Sequence, residues 1–436
     1  LAERSLLMRH SPERLSPPVS GGHPPSPGGA RTQFSMLESL REFGRRRLAE
    51  RGSMADACRR HAEHLVAVAG QANRLLQSPA EADGVALVAA HLDELRAAQA
   101  WLREHDPGAG LELVTRLRLY ALFRISSEVY AWTEAMAETG VASETLPLVL
   151  GSAAQGTWMR GDFARARALA AAGVDAAGGN RLLTRQARET QGDIALFDGA
   201  LAEAAARYHE AAEQFVAAGE PAAAVAAVSG GEALALAYQG DVEAAGALAR
   251  QYLRLAEEIA VPSALAFAHY GVAEVAAAAG DVAMAERHAR IAVEVATPVD
   301  SRFALGIAGV TLATLLARTG RTTEALGRYR DVVDVFHRSG TWAPQWVALR
   351  SLVDLLERAG NPGGAAVLLG ALTASPTAAP AYGTDAELLD AARKRLDETL
   401  GPEETARLVD TGAGLGDDAA IGHVLRALDA VLATST

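Results

Sequence analysis

His61 and His64 stand three residues apart with Glu63 between them. On a helix that spacing sets both imidazoles on one face, where they could ligate a metal ion. No third ligand follows at a suitable interval, so the pair reads as a polar helix face and no metal site is assigned. Residues 412–417, GAGLGD, have the glycine content of a phosphate loop, yet no strand-like run precedes them, as such loops require. They read as a helix-ending turn. No GxSxG elbow and no HExxH pair occurs, and no pair of carboxylates stands in a setting suited to acid–base work. The chain reads as non-catalytic. A further set of residues is more regular. Gln155, Trp158, Met159, Glu189, Asp193, Phe197, Tyr238, Tyr270, Glu274, Arg318, Arg350 and Asp354 mix aromatic rings with charges, as peptide and ligand grooves do. Each lies two, three, six or ten residues ahead of a glycine that recurs along the chain. The plainer alternative is that rings such as Trp158, Phe197 and Tyr270 fill gaps between neighbouring helices.

The recurring glycine sets the organisation. It reads RGDFARA at Gly161, DGALAEA at Gly199, QGDVEAA at Gly240, AGDVAMA at Gly280, TGRTTEA at Gly320 and AGNPGGA at Gly360. Five residues after each stands an alanine: Ala166, Ala204, Ala245, Ala285, Ala325 and Ala365. Seven residues before stand Ala154, Gly192, Ala233, Ala273 and Ala313, with Val353 the one larger residue. A glycine with positive φ ends one helix, and an Asp in the next position often caps the following one. The small residues then fall where the two antiparallel helices cross. A period near forty residues, kept through six units, is the mark of a helical solenoid.

Composition agrees. Half of the 436 residues are hydrophobic but only 5% are aromatic, so alanine supplies much of the apolar content, and alanine is the best helix former. The net charge of −12 argues against a general nucleic-acid binder. Residues 1–60 nevertheless hold eleven Arg against six Asp and Glu, a net of +5, while the remainder nets −17. The single cysteine, Cys58, excludes an internal disulfide and any cysteine-based zinc site. No secretory signal and no long uncharged apolar run appears, and the expectation is a cytoplasmic protein with no membrane partner. Lys394, the sole lysine, sits in AARKRLD without a glycine run, so this chain holds no P-loop.

The turns with their flanking small residues resemble the tetratricopeptide repeat across residues 145–372. This implies an all-α, right-handed helical solenoid of six repeats. A degenerate unit precedes them, with Arg124 in the place of the turn glycine in LFRISSEVYAWTEAM. Residues 373–384, TASPTAAPAYGT, form a linker, and 385–436 supply two or three capping helices, with Asp385 and Asp417 or Asp418 as N-caps and Pro402 in a first turn.

Further upstream, RSLL, then a Pro/Gly/Ser-rich loop over 11–30, then QFSMLESLREFGRRRLAERG resemble the end of a winged-helix domain. RRHAEHLVAVAGQA (59–72) and HLDELRAAQAWLRE (91–104) are similar to the segments that follow it in actinobacterial signal-transducing ATPases of the STAND, NB-ARC-like class, including LuxR/AfsR-like transcriptional regulators. The resemblance implies four parts. They are a partial winged-helix remnant over 1–52, a helical linker over 53–144, the repeats, and the cap. It also implies that an ATPase domain, with ATP or ADP as its cofactor, lies upstream of this chain. The Met-His-Asp motif of that class is represented by Met36, Leu37 and Glu38, without the histidine. On a helix from about Met36 to Glu50, Met36, Leu37, Leu40, Phe43, Gly44 and Leu48 make an apolar stripe, and Arg41, Glu42, Arg45 and Arg46 fall on the wet side, with Arg47 near its edge.

The expectation is therefore a non-catalytic sensor and interaction region that needs no cofactor of its own. Its groove would bind a protein, peptide or small-molecule inducer and thereby bias an upstream ATPase switch with transcriptional output, making no direct nucleic-acid contact. Two alternatives stand beside it: a free-standing repeat scaffold, and an accessory region of a nucleotide cyclase.

Overall fold

The computed structural model describes residues 8–10 and 33–434, in two compact units, 1–64 and 65–436. In the first, β1 (Met8–His10) pairs antiparallel with β2 (Gln33–Ser35), Met8 opposite Ser35. Helix α1 (Glu38–Glu50) follows, and then the beginning of α2 (Met54–Leu76). α1 starts two residues later than its apolar pattern suggests and buries none of its residues. Leu37 and Phe43 are half exposed. Arg47 lies over the Phe43 ring, 5.2 Å from its centroid, and pairs with Glu50 at 2.8 Å. The loop expected over 11–30 lies outside the described residues.

The second unit continues from α2 through α3 (Glu81–Ala90), α4 (Leu92–His105), α5 (Pro107–Arg116), α6 (Arg118–Arg124) and α7 (Ser127–Ala137). Six antiparallel helix pairs come next: α8 (Leu146–Met159) with α9 (Phe163–Ala176), α10 (Arg185–Phe197) with α11 (Leu201–Ala217), and α12 (Ala222–Gln239) with α13 (Val242–Ile259). They continue as α14 (Pro262–Ala278) with α15 (Val282–Ala296), α16 (Arg302–Arg318) with α17 (Thr322–Ser339), and α18 (Trp342–Arg358) with α19 (Pro362–Ala374). Helices α20 (Gly383–Leu400), α21 (Pro402–Ala413) and α22 (Asp417–Thr434) close the chain. The unit is a helical solenoid of tetratricopeptide-like repeats.

All six turn glycines adopt φ between +77° and +92°, the left-handed region that a Cβ disfavours. After four of them the next residue caps the second helix. Asp162, Asp241 and Asp281 accept from the amides of Arg165, Ala244 and Met284 at 3.0–3.1 Å, and Asn361 does the same for Gly364. The alanines five residues on are all fully buried. At Gly192 a Cβ would come within 2.9 Å of the Tyr208 ring, so this helix crossing admits no side chain.

Three local expectations are corrected. The left-handed residue before α7 is Ile125 (φ 47°), not Arg124. Arg124 ends α6 as a buried cation, paired at 2.7 Å with the fully buried Glu81 and donating to the carbonyl of Val299. Asp385 and Asp417 lie within the first turns of α20 and α22 rather than at their N-caps. Gly412 belongs to α21, not to a terminal turn. It meets α19 so closely that a Cβ there would stand 1.9 Å from the carbonyl oxygen of Val367, and Gly370 meets Val409 likewise. Pro402 opens α21, as its fixed φ favours.

The array curls until its ends meet. α8 touches α18, and α6 touches α16. Two devices hold the closure. Glu81, besides pairing with Arg124, accepts from the amide of Ser263 (2.7 Å) and its hydroxyl (2.5 Å), fastening α3 and α6 to α14. Residues 375–382 form a strap between α19 and α20. Thr377 lies against Gly161 and Tyr382 against Gly199, each so near that a Cβ on the glycine would collide with it.

Candidate functional site

The first helix of every repeat turns its inner face to a common cavity of about 650 Å³, a size typical of small-ligand pockets. Its wall comes from α8, α10, α12, α14, α16 and α18. Leu122 and Phe123 of α6 close one side, and Tyr382, Gly383, Thr384 and Asp385 of the strap and α20 close another.

Of the groove residues expected from the repeat register, the cavity wall includes Gln155, Trp158, Met159, Glu189, Asp193, Phe197, Tyr238, Tyr270, Glu274, Arg318 and Arg350. Asp354 is not among them. The cap occupies its neighbourhood, and its carboxylate is held by Arg358 at 2.7 Å and by Arg395 of α20 at 2.6 Å. The register missed Tyr208, Phe267, Phe303, Thr311, Tyr382 and Asp385, which also line the wall. Tyr208 comes from a second helix, reaching through the gap that Gly192 leaves. Phe267 and Phe303 stand near the starts of their helices, beyond the offsets used. Tyr382 and Asp385 arrive from the linker, where no repeat signal exists.

The aromatic residues both pack and line. Trp158 is only 2% exposed and packs on Phe197 with ring centroids 4.8 Å apart. Phe267 packs against Tyr270 and Phe303 at 5.7 and 5.9 Å.

Charges fall into matched and unmatched groups. Glu189 is buried against the Arg118 guanidinium, and burial outweighs that partner in raising its pKa. Arg350, also buried, pairs with Asp385 at 2.9 Å and donates to the carbonyls of Ala379 and Pro380, so it grips the strap. Asp193 has neutral partners only: Trp158 Nε1 donates at 3.1 Å and the Tyr208 hydroxyl at 2.7 Å. Burial, with Glu189 nearby, pushes its pKa up to about 7. Glu274 likewise accepts from the hydroxyls of Tyr238 and Thr311, both at 2.5 Å, and burial raises its pKa. Arg318 projects from the end of α16 into the cavity, exposed, with no ion pair or hydrogen bond among the described residues. Here a protein-lined space holds an unneutralised cation and carboxyls without cations.

His61 and His64 are exposed on α2. Among the described residues no three His, Cys, Asp or Glu side chains gather as a metal site would need, and no helix is long and apolar enough to cross a membrane.

The architecture defines a class, a helical-repeat solenoid with a concave inner face. A solved structure that matches it is that of a Rap protein complexed with competence and sporulation factor. The two share 11% identity over 86% of this chain and all of that one, with a TM-score of 0.50. At that identity the likeness concerns the fold alone. No protein-family model and no curated protein matches the sequence.

Proposed function

We propose that the chain is a non-catalytic sensor whose solenoid encloses a small ligand or short peptide. The observation that carries this reading is the cavity itself. It is concave and open on part of its surface, lined by rings, and carries charged groups that the protein leaves without counter-charges. Asp193 and Glu274 are held by neutral donors alone, and Arg318 has no ion pair among the described residues, so the pocket presents charge of both signs that a ligand of complementary charge would match. The similar Rap protein is complexed with competence and sporulation factor, which supports a binding role for a solenoid of this kind. Asp193 would suit an acid–base role by its pKa, but Trp158 and Tyr208 occupy both its oxygens, and binding is the better reading.

The proposed role extends to regulation, on the resemblance to STAND-class regulators. A ligand that favours one arrangement of the closed array would bias an upstream ATPase switch, since only differential affinity can move such an equilibrium. Transcriptional output and a cytoplasmic location belong to the same proposal. The test is direct. Purified protein should take up the neutral apolar dye Nile red with a fluorescence increase, and Ala227→Trp, which projects an indole into the cavity from its wall, should weaken uptake while leaving helical circular dichroism unchanged. Wild-type protein that binds no dye would overturn the reading, and so would measurable ATP hydrolysis by this chain.

A further inference from the structure

We propose that the cavity takes a short zwitterionic peptide of about three apolar residues, its ammonium group toward Glu274 and its carboxylate on Arg318. This rests on reading the cavity as a ligand site, and it specifies the ligand's polarity and length.

The argument starts from which charges the protein satisfies itself. Glu189 has Arg118, and Arg350 has Asp385. What remains is one guanidinium, Arg318, without a partner among the described residues, and Glu274, whose oxygens accept only from hydroxyls. A carboxylate retains further lone pairs after one hydrogen bond to each oxygen, so Glu274 can still accept from an ammonium donor. Charge-assisted hydrogen bonds of that kind are the stronger ones. Arg318 offers a planar fork that matches a carboxylate in bidentate fashion. Asp193 also lacks a direct ion-pair partner, but it sits beside the Glu189–Arg118 pair and the Arg118 cation is near enough to favour its charged form, whereas no cation of the described residues acts on Glu274.

The spacing sets the length. Thr311, which holds Glu274, lies seven residues before Arg318 on α16, with Thr314 between them on the same face. Two turns of helix span about 10 Å at ~1.5 Å per residue, and an extended peptide covers that in about three residues at ~3.3–3.6 Å each. Thr314, Leu315 and Tyr270 also line the cavity, which favours apolar side chains between the two charged ends. A purely anionic ligand would leave Glu274 unmatched and face the carboxyls of this wall, and a simple amine would leave Arg318 unmatched.

The experiment uses equimolar mixtures of tripeptides built from Ala, Val, Leu and Phe, offered free, N-acetylated, or C-terminally amidated, and scored by displacement of bound Nile red. Free peptides are expected to displace the dye at concentrations at least tenfold below either capped form. Arg318→Gln should erase the preference for a free carboxylate, and Glu274→Gln the preference for a free ammonium. Equal potency of capped and free peptides overturns the proposal, as does failure of all three to displace a dye that binds. Failure of the dye itself to bind strikes instead at the cavity as a ligand site.

Discussion

The hydroxyl of Tyr382 donates to the carbonyl of Leu196, 186 residues earlier, at 2.7 Å, while its ring covers the left-handed Gly199. A residue from the linker after the sixth repeat is thereby seated on the turn of the second. The strap carrying it is tied further by Trp346 Nε1 donating to Thr377 (2.8 Å), and by Ser375 and Thr377 donating to Asp417. Opening the cavity on this side requires moving the strap.

Tyr382→Phe removes one partly buried hydrogen bond, expected to cost about 1 kcal/mol, and Tyr382→Ala removes the ring's packing as well. The alanine variant should show faster amide exchange across 375–385 and faster Nile red uptake, with far-UV circular dichroism unchanged. Uptake at the wild-type rate would show that ligand enters elsewhere.

The Glu81–Arg124 pair predicts a larger effect. Arg124→Met leaves the fully buried Glu81 carboxylate with only the Ser263 donors. Breaking a buried pair from one side typically costs about 3–5 kcal/mol. The denaturant midpoint of Arg124→Met should fall accordingly, whereas the double replacement Glu81→Gln with Arg124→Met should recover part of the loss.

For Asp193 the native pKa of about 7 lies above the unfolded value of 3.8. Between those values the folded state binds a proton that the unfolded chain has released. The stability this residue contributes is therefore present at low pH, lost as pH rises toward about 7, and stays lost above it. Asn mimics the protonated carboxyl. The stability of Asp193→Asn relative to wild type should be greater at pH 8 than at pH 5 in urea titrations. A difference independent of pH would rule out the raised pKa.

His269 and His288 behave in the opposite sense. Their Nδ1 atoms lie 2.9 Å apart, so one donates while the other accepts, and burial lowers both pKa values, that of His269 to about 4. Below the unfolded value of 6.5 the unfolded chain gains protons that the native pair resists, so stability falls from about pH 6.5 down to about 4 and then levels. In His269→Gln that acid-side slope should be smaller, as measured by thermal melts from pH 7 to 4.

The glycine register carried much of the fold. Positive φ at six positions and small residues at fixed offsets are local requirements, and local requirements leave local traces. The same register located most of the cavity wall, because the inward face of a repeat helix follows from its distance to the turn. It could not find Tyr382 or Asp385, whose place depends on how far the array curls. That curl sums small rotations from every interface. Nor could it tell that Arg124 serves a buried pair with a partner 43 positions earlier, since Glu81 sits in no repeat. Asp354 was misplaced because its offset is right but the cap intervenes. The contrast between Arg350, consumed by the strap, and Arg318, left over, is likewise invisible without the closure.

Contact between the first and last repeats also bears on how such a molecule could change size. An open solenoid behaves like a one-dimensional chain of neighbours, lengthened or shortened by whole units at little cost elsewhere. Here the chain has a periodic boundary. Deleting one repeat would strand Tyr382 and Thr377 away from Gly199 and Gly161, and adding one would push Glu81 off Ser263. The repeat number is thus quantised by the seam, and the array should melt as one cooperative body rather than fraying from its ends.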